Sequence, residues 1–222
     1  MTAEFFEAIR KGDQPAVDAA IAADARLLAA RNDAGLSPVM AAAYAGHPRL
    51  AEHLATRAAS SQQGIDFFEA AAVGDTSVVR RKLAEQTEIE DPSNDGYTAL
   101  HLAAYFGRLE VARLLLEHGA DPNAPAHNDS RVTPLHSAVS AHHRDLAGLL
   151  LALGASANAV QKGGWTALHS AAHNGDEATV DLLLLRGADP TRPSDDGRTP
   201  IDMAAAGGHA ALADMLREAS RP

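Results

Sequence analysis

Eleven histidines in a chain of 222 residues with no cysteine are the first residues to test for chemistry, because imidazole is the commonest metal ligand and general base among side chains. A zinc site needs three or four ligands converging on one point. His101, His136 and His169 instead recur at near-regular intervals, each in its own copy of one short motif. His142-His143 together with His173, and His127 near Asp129, are the remaining candidates. His142 and His143 are adjacent, where two ligands on one helix face would stand four apart. No metal site is therefore expected, and chelation is expected to leave the melting temperature unchanged. A His-cluster metal activity stays as the disfavoured alternative. Asp195-Asp196 and the run Glu88–Asp91 read as solvated loop charges. No glycine loop has the spacing of a phosphate cradle, and no serine stands in a nucleophile elbow. The absence of cysteine removes disulfides, thiolate nucleophiles and Cys-ligated zinc. No catalytic residue and no cofactor are expected.

The elements that carry these histidines repeat. Thr98–Gly107 (TALHLAAYFG), Thr133–His142 (TPLHSAVSAH), Thr166–Gly175 (TALHSAAHNG) and Thr199–Gly208 (TPIDMAAAGG) align without gaps and start at nearly even spacing. Ser37–Gly46 (SPVMAAAYAG) fits with two substitutions, and Ala3–Gly12 and Ile65–Gly74 keep the helix and its closing glycine. The two FFEA segments, at Phe5 and at Phe67, lie two units apart and point to duplication of a two-repeat block. In the last four units Thr, with Pro at Thr133-Pro134 and Thr199-Pro200, starts a helix by satisfying exposed backbone N–H groups. Paired alanines allow close helix approach. Gly, or His142 in the fifth unit, supplies the left-handed residue that ends it. A second helix follows with an apolar cluster such as Val111, Leu114, Leu115 and Leu116. It closes at Gly119, Gly154 or Gly187, and a turn-rich stretch such as Asn94-Asp95-Gly96 then leads to the next unit.

This pattern resembles the ankyrin repeat, whose period is about 33 residues and whose signature is T-P-L-H-x-A. The resemblance covers nearly the whole chain. It implies an all-α solenoid of helix-turn-helix units with short β-hairpin fingers. One domain over residues 1–222 is expected, with seven repeats near 3–34, 35–62, 63–95, 96–130, 131–163, 164–196 and 197–222 and fourteen helices. It also implies that His101, His136 and His169 hydrogen-bond between adjacent turns. Arg217 stands where Leu116 and Leu184 occur in earlier repeats, and Arg10 and Lys11 decorate the first helix pair. Both ends therefore read as capped and the chain as complete. The finger around Ser60–Gly64 is shortened to a simple turn. Arg81-Lys82 replace the leucines of the next repeat, so the junction of repeats 2 and 3 is expected to open first.

Function in such a family lies in the residues its signature leaves free, on a concave surface of fingers and inner helices. Those positions hold Tyr44, Val73, Tyr105, Phe106, Ser140, His173 and Asn174 on the first helices, and Leu36, Tyr97, Val132, Trp165 and Arg198 on the fingers. The single tryptophan and all three tyrosines fall among them. Tyr97, Tyr105, Phe106, Val132, Trp165 and His173 form the expected protein-binding site in repeats 4 to 6, and exposed aromatics there are hot-spot candidates. The expectation is a non-enzymatic adaptor or regulator that binds one protein partner. An acidic inhibitor or immunity-like protein for a basic target is the alternative, suggested by a net charge of −10. That charge opposes binding to nucleic acid and to anionic membranes. Without a basic leader followed by an apolar stretch, or a run of about 18 apolar residues, a cytoplasmic address and a monomer are expected.

Overall fold

The computed structural model describes residues 1–60 and 64–221. Its contacts divide the chain into two compact units, residues 1–87 and 88–222. Residues 1–87 hold helices α1 (Thr2–Lys11), α2 (Gln14–Ala23), α3 (Pro38–Tyr44), α4 (Pro48–Ala59), α5 (Phe67–Val73) and α6 (Thr76–Ala84), with a 3₁₀ turn at Ala25–Ala29. Residues 88–222 hold α7 (Ala99–Tyr105), α8 (Leu109–Glu117), α9 (Pro134–Ser140), α10 (Arg144–Ala152), α11 (Ala167–His173), α12 (Glu177–Leu185), α13 (Pro200–Ala206) and α14 (Ala210–Ala219). Among the described residues no helix is long and apolar enough to cross a membrane.

In the second unit the first helices α7, α9, α11 and α13 pack side by side, and α8, α10 and α12 form a second row. Small residues make this close approach possible: Ala103, Ala104, Ala138, Ala171, Ala172 and Ala204 are all but fully buried. Leu114, Leu115, Leu146, Leu150 and Leu183 fill the space between the two rows. In the first unit α1, α3 and α5 pack in the same succession, with α4 against α3 and α5.

Each first helix ends in the same way. Its last carbonyls receive bonds from the left-handed residue and from the one after it, as in Gly107 N to Ala104 O and Arg108 N to Ala103 O at 2.8 Å. His142, with φ of 61°, takes the glycine's place after α9, as the alignment requires. A histidine also begins several of the second helices. His47 Nε2 lies 3.0 Å from Arg10 O, and because a carbonyl only accepts, the ring donates there. His143 bonds the Tyr105 carbonyl in the same manner. Each ring lies on the closing glycine of the preceding repeat. A methyl group on Gly12 would stand 2.8 Å from His47, and one on Gly107 would stand 2.5 Å from His143.

Three local features differ from the sequence reading. No strand occurs among the described residues. Each fully described finger narrows to a turn closed by one backbone bond, such as Ser93 N to Tyr97 O at 2.8 Å or Gln161 N to Trp165 O at 2.9 Å, which is too short for a ladder. Single backbone bonds also join neighbouring fingers: His127 N to Gly96 O, Lys162 N to Ser130 O and Asp195 N to Gly163 O. Helix α5 begins one residue later than the gap-free alignment places it. Asp66, not Ile65, is its cap, through the reciprocal bonds Glu69 N to Asp66 Oδ1 and Asp66 N to Glu69 Oε2, both 2.8 Å. At the junction of repeats 2 and 3, α4 runs for 12 residues where α8, α10 and α12 have 9. Ser61–Gln63 of the expected short turn lie outside the described residues.

Candidate functional site

The signature histidines are among the buried polar groups of the second unit. In α7 the Thr98 hydroxyl donates to His101 Nδ1 at 2.8 Å, and His101 Nε2 meets the Val132 carbonyl at 2.9 Å. The same arrangement joins Thr133, His136 and the Trp165 carbonyl at 2.9 and 3.2 Å, and Thr166, His169 and the Arg198 carbonyl at 2.8 and 3.1 Å. A carbonyl only accepts, so each ring carries its proton on Nε2 and offers Nδ1 as an acceptor. Burial is the main cause that holds these rings neutral, and it lowers His101 and His136 to about 4. Both nitrogens of each ring are therefore occupied, which leaves no imidazole of this ladder free to take a proton from a substrate. Among the described residues no three His, Cys, Asp or Glu side chains converge as a metal site would require.

This ladder places the finger residues. Val132, Trp165 and Arg198 are each fixed through the carbonyl that receives the preceding repeat's histidine, so their side chains follow one another along one edge. Tyr97 begins the row, half-buried with its ring 5.9 Å from that of His101. Tyr105, Phe106 and His173 stand at the other end of the first helices, about 10 Å away at a rise of about 1.5 Å per residue. Tyr105 is 44% exposed, His173 is exposed, and Phe106 is half-buried with its ring edge-on to Tyr105 at 5.1 Å. The six residues therefore form two rows, and direct ring contact among them joins Tyr105 to Phe106. Of the wider set, Tyr44 is 37% exposed, Ser140 and Asn174 are exposed, and Val73 is buried, which removes it from the surface.

Trp165 differs from the expectation of a ring held open. It is half-buried, its ring 5.7 Å from His169 and packed over Gly163. The Arg198 guanidinium lies 5.5 Å from the ring centroid on the finger of the next repeat. Arg198 occupies in that repeat the same finger position as Trp165, and this equivalence was the signal that the two would be neighbours. Truncation of Trp165 to Ala is consequently expected to cost about 1–2 kcal/mol of stability through lost packing, and Tyr105→Ala less than about 1 kcal/mol. Urea melts of the two variants check the order.

Charge is unevenly shared. Residues 1–87 carry eleven acidic and nine basic side chains, a formal charge of −2, and residues 88–222 carry eighteen and ten, a formal charge of −8. Several of these acids crown the fingers: Asp129, Asp195 and Asp196 are exposed. The chemistry available to this face is recognition by aromatic and charged groups.

A family model for ankyrin repeats in three copies matches residues 67–161 and 149–221, more than half of the chain. Protein phosphatase 1 regulatory subunit 27 of mouse is 32% identical over 124 residues, which are 55% of this chain and 79% of that protein. The NF-kappa-B inhibitor cactus of Drosophila melanogaster is 42% identical over 64 residues, 29% of this chain and 13% of cactus. The human neurogenic locus notch homolog protein 4 is 54% identical over 56 residues, 25% of this chain and 3% of that protein. The chain thus spans only a small part of cactus and of the notch homolog.

Proposed function

Since the chain belongs to the ankyrin-repeat family, we propose that it is a non-enzymatic module that holds a protein partner against the fingers and first helices of residues 88–222. The observation that carries this reading is the division of labour on that face. The His101, His136 and His169 imidazoles are spent on the ladder, whereas Tyr105, Ser140 and His173 are exposed on helices whose other residues are mostly buried. Tyrosine offers a large contact area at small entropic cost, and such residues dominate binding energy when a partner covers them. Cactus is named for inhibiting another protein and subunit 27 for regulating one. Those names support a regulatory role for this chain without assigning it either target.

Affinity capture with the full chain, followed by titration of the captured protein, tests the face. Tyr105→Ala is expected to weaken binding by roughly 2 kcal/mol, about thirtyfold, with the melting curve almost unchanged. A partner that binds wild type and Tyr105→Ala equally well places its contact elsewhere.

A further inference from the structure

The environment of Trp165 points beyond a generic binding face. Its backbone is fixed twice, by Gln161 N donating to Trp165 O at 2.9 Å and by the His136 ring at 3.2 Å. The next finger is fixed by Ser194 N to Arg198 O and joined to the first by Asp195 N to Gly163 O at 2.8 Å. The Asp196 carboxylate, which accepts from the Ser194 hydroxyl at 2.6 Å, is thereby set on the finger beside the Trp165 finger, with the exposed Asp195 next to it in the chain. A guanidinium already sits there: Arg198 stacks on the ring and donates from Nε to Asp196 Oδ2 at 2.8 Å. Its hold is weak, because both partners of that ion pair are about half exposed and exposed pairs contribute little.

We propose that the Trp165 ring with Asp195 and Asp196 is a guanidinium-accepting site for an arginine-bearing, basic segment of a protein partner, and that Arg198 fills it in the free protein as a tethered competitor. The proposal rests on the reading of this unit as a protein-binding face and names the chemistry of the partner. Exchange of one guanidinium for another keeps the stacking and the ion pair, so displacement of Arg198 costs little. The formal charge of −8 on residues 88–222 supplies the attraction that brings a basic segment to the fingers. Guanidinium stacks on an aromatic face better than ammonium does, so arginine is preferred to lysine.

Trp165 is the only tryptophan, so its emission reports this site directly. The probes are labelled octa-arginine and octa-lysine peptides, followed by anisotropy and by Trp165 emission at about physiological salt. Octa-arginine is expected to bind more tightly than octa-lysine and to shift the emission saturably. Arg198→Gln is expected to tighten octa-arginine about three- to tenfold. Arg192→Gln removes the same charge from the same finger without touching the ring, and should change affinity far less. Trp165→Leu should bring the two peptides level. Melting curves accompany each variant, and the Arg198→Gln against Arg192→Gln comparison stands even where Trp165→Leu fails to fold. Unchanged emission at saturation, equal effects of the two arginine substitutions, or no arginine preference overturns the proposal. A captured partner that is weakened by Tyr105→Ala but not displaced by octa-arginine leaves the binding face standing and removes the guanidinium site. Octa-arginine bound at Trp165 with a partner indifferent to Tyr105 does the reverse.

Discussion

Acidification from pH 7 to pH 4 is expected to destabilise residues 88–222 by roughly 6 kcal/mol, with most of the loss between pH 6.5 and pH 4. His101 and His136 are nearly inaccessible, at 1% and 3% exposure, and both are lowered from 6.5 to about 4, chiefly by burial. In the unfolded chain each takes a proton near pH 6.5, but in the folded chain only near pH 4. Between those values the unfolded state binds more protons, so stability falls as the pH falls. Each pKa unit corresponds to about 1.4 kcal/mol, so two groups displaced by about 2.5 units give about 7 kcal/mol in full, of which roughly 6 is lost by pH 4, where each folded-state ring is half protonated. His169 is shifted in the same direction, again chiefly by burial, and adds to it. Against a typical domain stability of about 5–15 kcal/mol this loss is decisive. Carboxylates whose pKa is lowered, such as Asp202 with its bonds to Thr199, lose their contribution in a separate window below the ordinary Asp value of 3.8.

The first unit supplies an internal contrast. The position of the signature histidine is held there by Met40 and Glu69. Burial raises the Glu69 carboxyl above 4.5, so its neutral form is favoured by folding and its contribution grows as the pH falls. Hydrogen exchange at pH 7, 5.5 and 4.5, corrected for intrinsic rates, should therefore show residues 88–221 losing protection before residues 1–60. Substitution of His136 by Gln, which does not titrate, should lower stability at pH 7 and remove a substantial part, but less than half, of the slope. A stability profile that is flat from pH 6.5 to 4.5 refutes the account.

The repeats were legible because their grammar is local. A threonine cap, a run of alanines and a left-handed closing residue each satisfy backbone groups within one turn, and their spacing survives as a period. The capping box of α5 was legible too, in Asp66-x-x-Glu69, but alignment on Gly74 hid it because that segment is one residue shorter. The roles of His47 and His143 depend on carbonyls a full repeat upstream, at Arg10 and Tyr105. His142-His143 therefore read only as an adjacent pair too close in sequence for a metal site, although Gly46-His47 and Gly208-His209 place a histidine at the same position. The packing of Trp165 was hidden for a similar reason. A finger position tolerates many residue types, and tolerance says nothing of whether the ring will fold down against His169 and beneath Arg198. The candidate face itself followed from composition, since aromatics that a signature does not call for must be explained by packing or by a ligand.

Gly107→Ala is expected to cost about 2–4 kcal/mol, well above the cost of the same change at Gly208. Both glycines are left-handed, with φ of 69° and 84°, so in each case alanine bears the backbone penalty of about 1 kcal/mol. Around Gly208 a methyl group meets nothing within 4 Å, whereas at Gly107 it would stand 2.5–2.8 Å from three atoms of the His143 ring. The ring must swing away, and with it goes the bond to the Tyr105 carbonyl, a further cost of about 1–3 kcal/mol. Tyr105 carries the proposed binding face, so the displacement should reach partner binding as well as stability. A double-mutant cycle isolates the contact. In a His143→Ala background the ring is already gone, and Gly107→Ala should then cost no more than Gly208→Ala. Urea midpoints of the four proteins give the coupling, and an equal cost of Gly107→Ala with and without the His143 ring would show that backbone conformation alone, and not the histidine packed on it, demands glycine there.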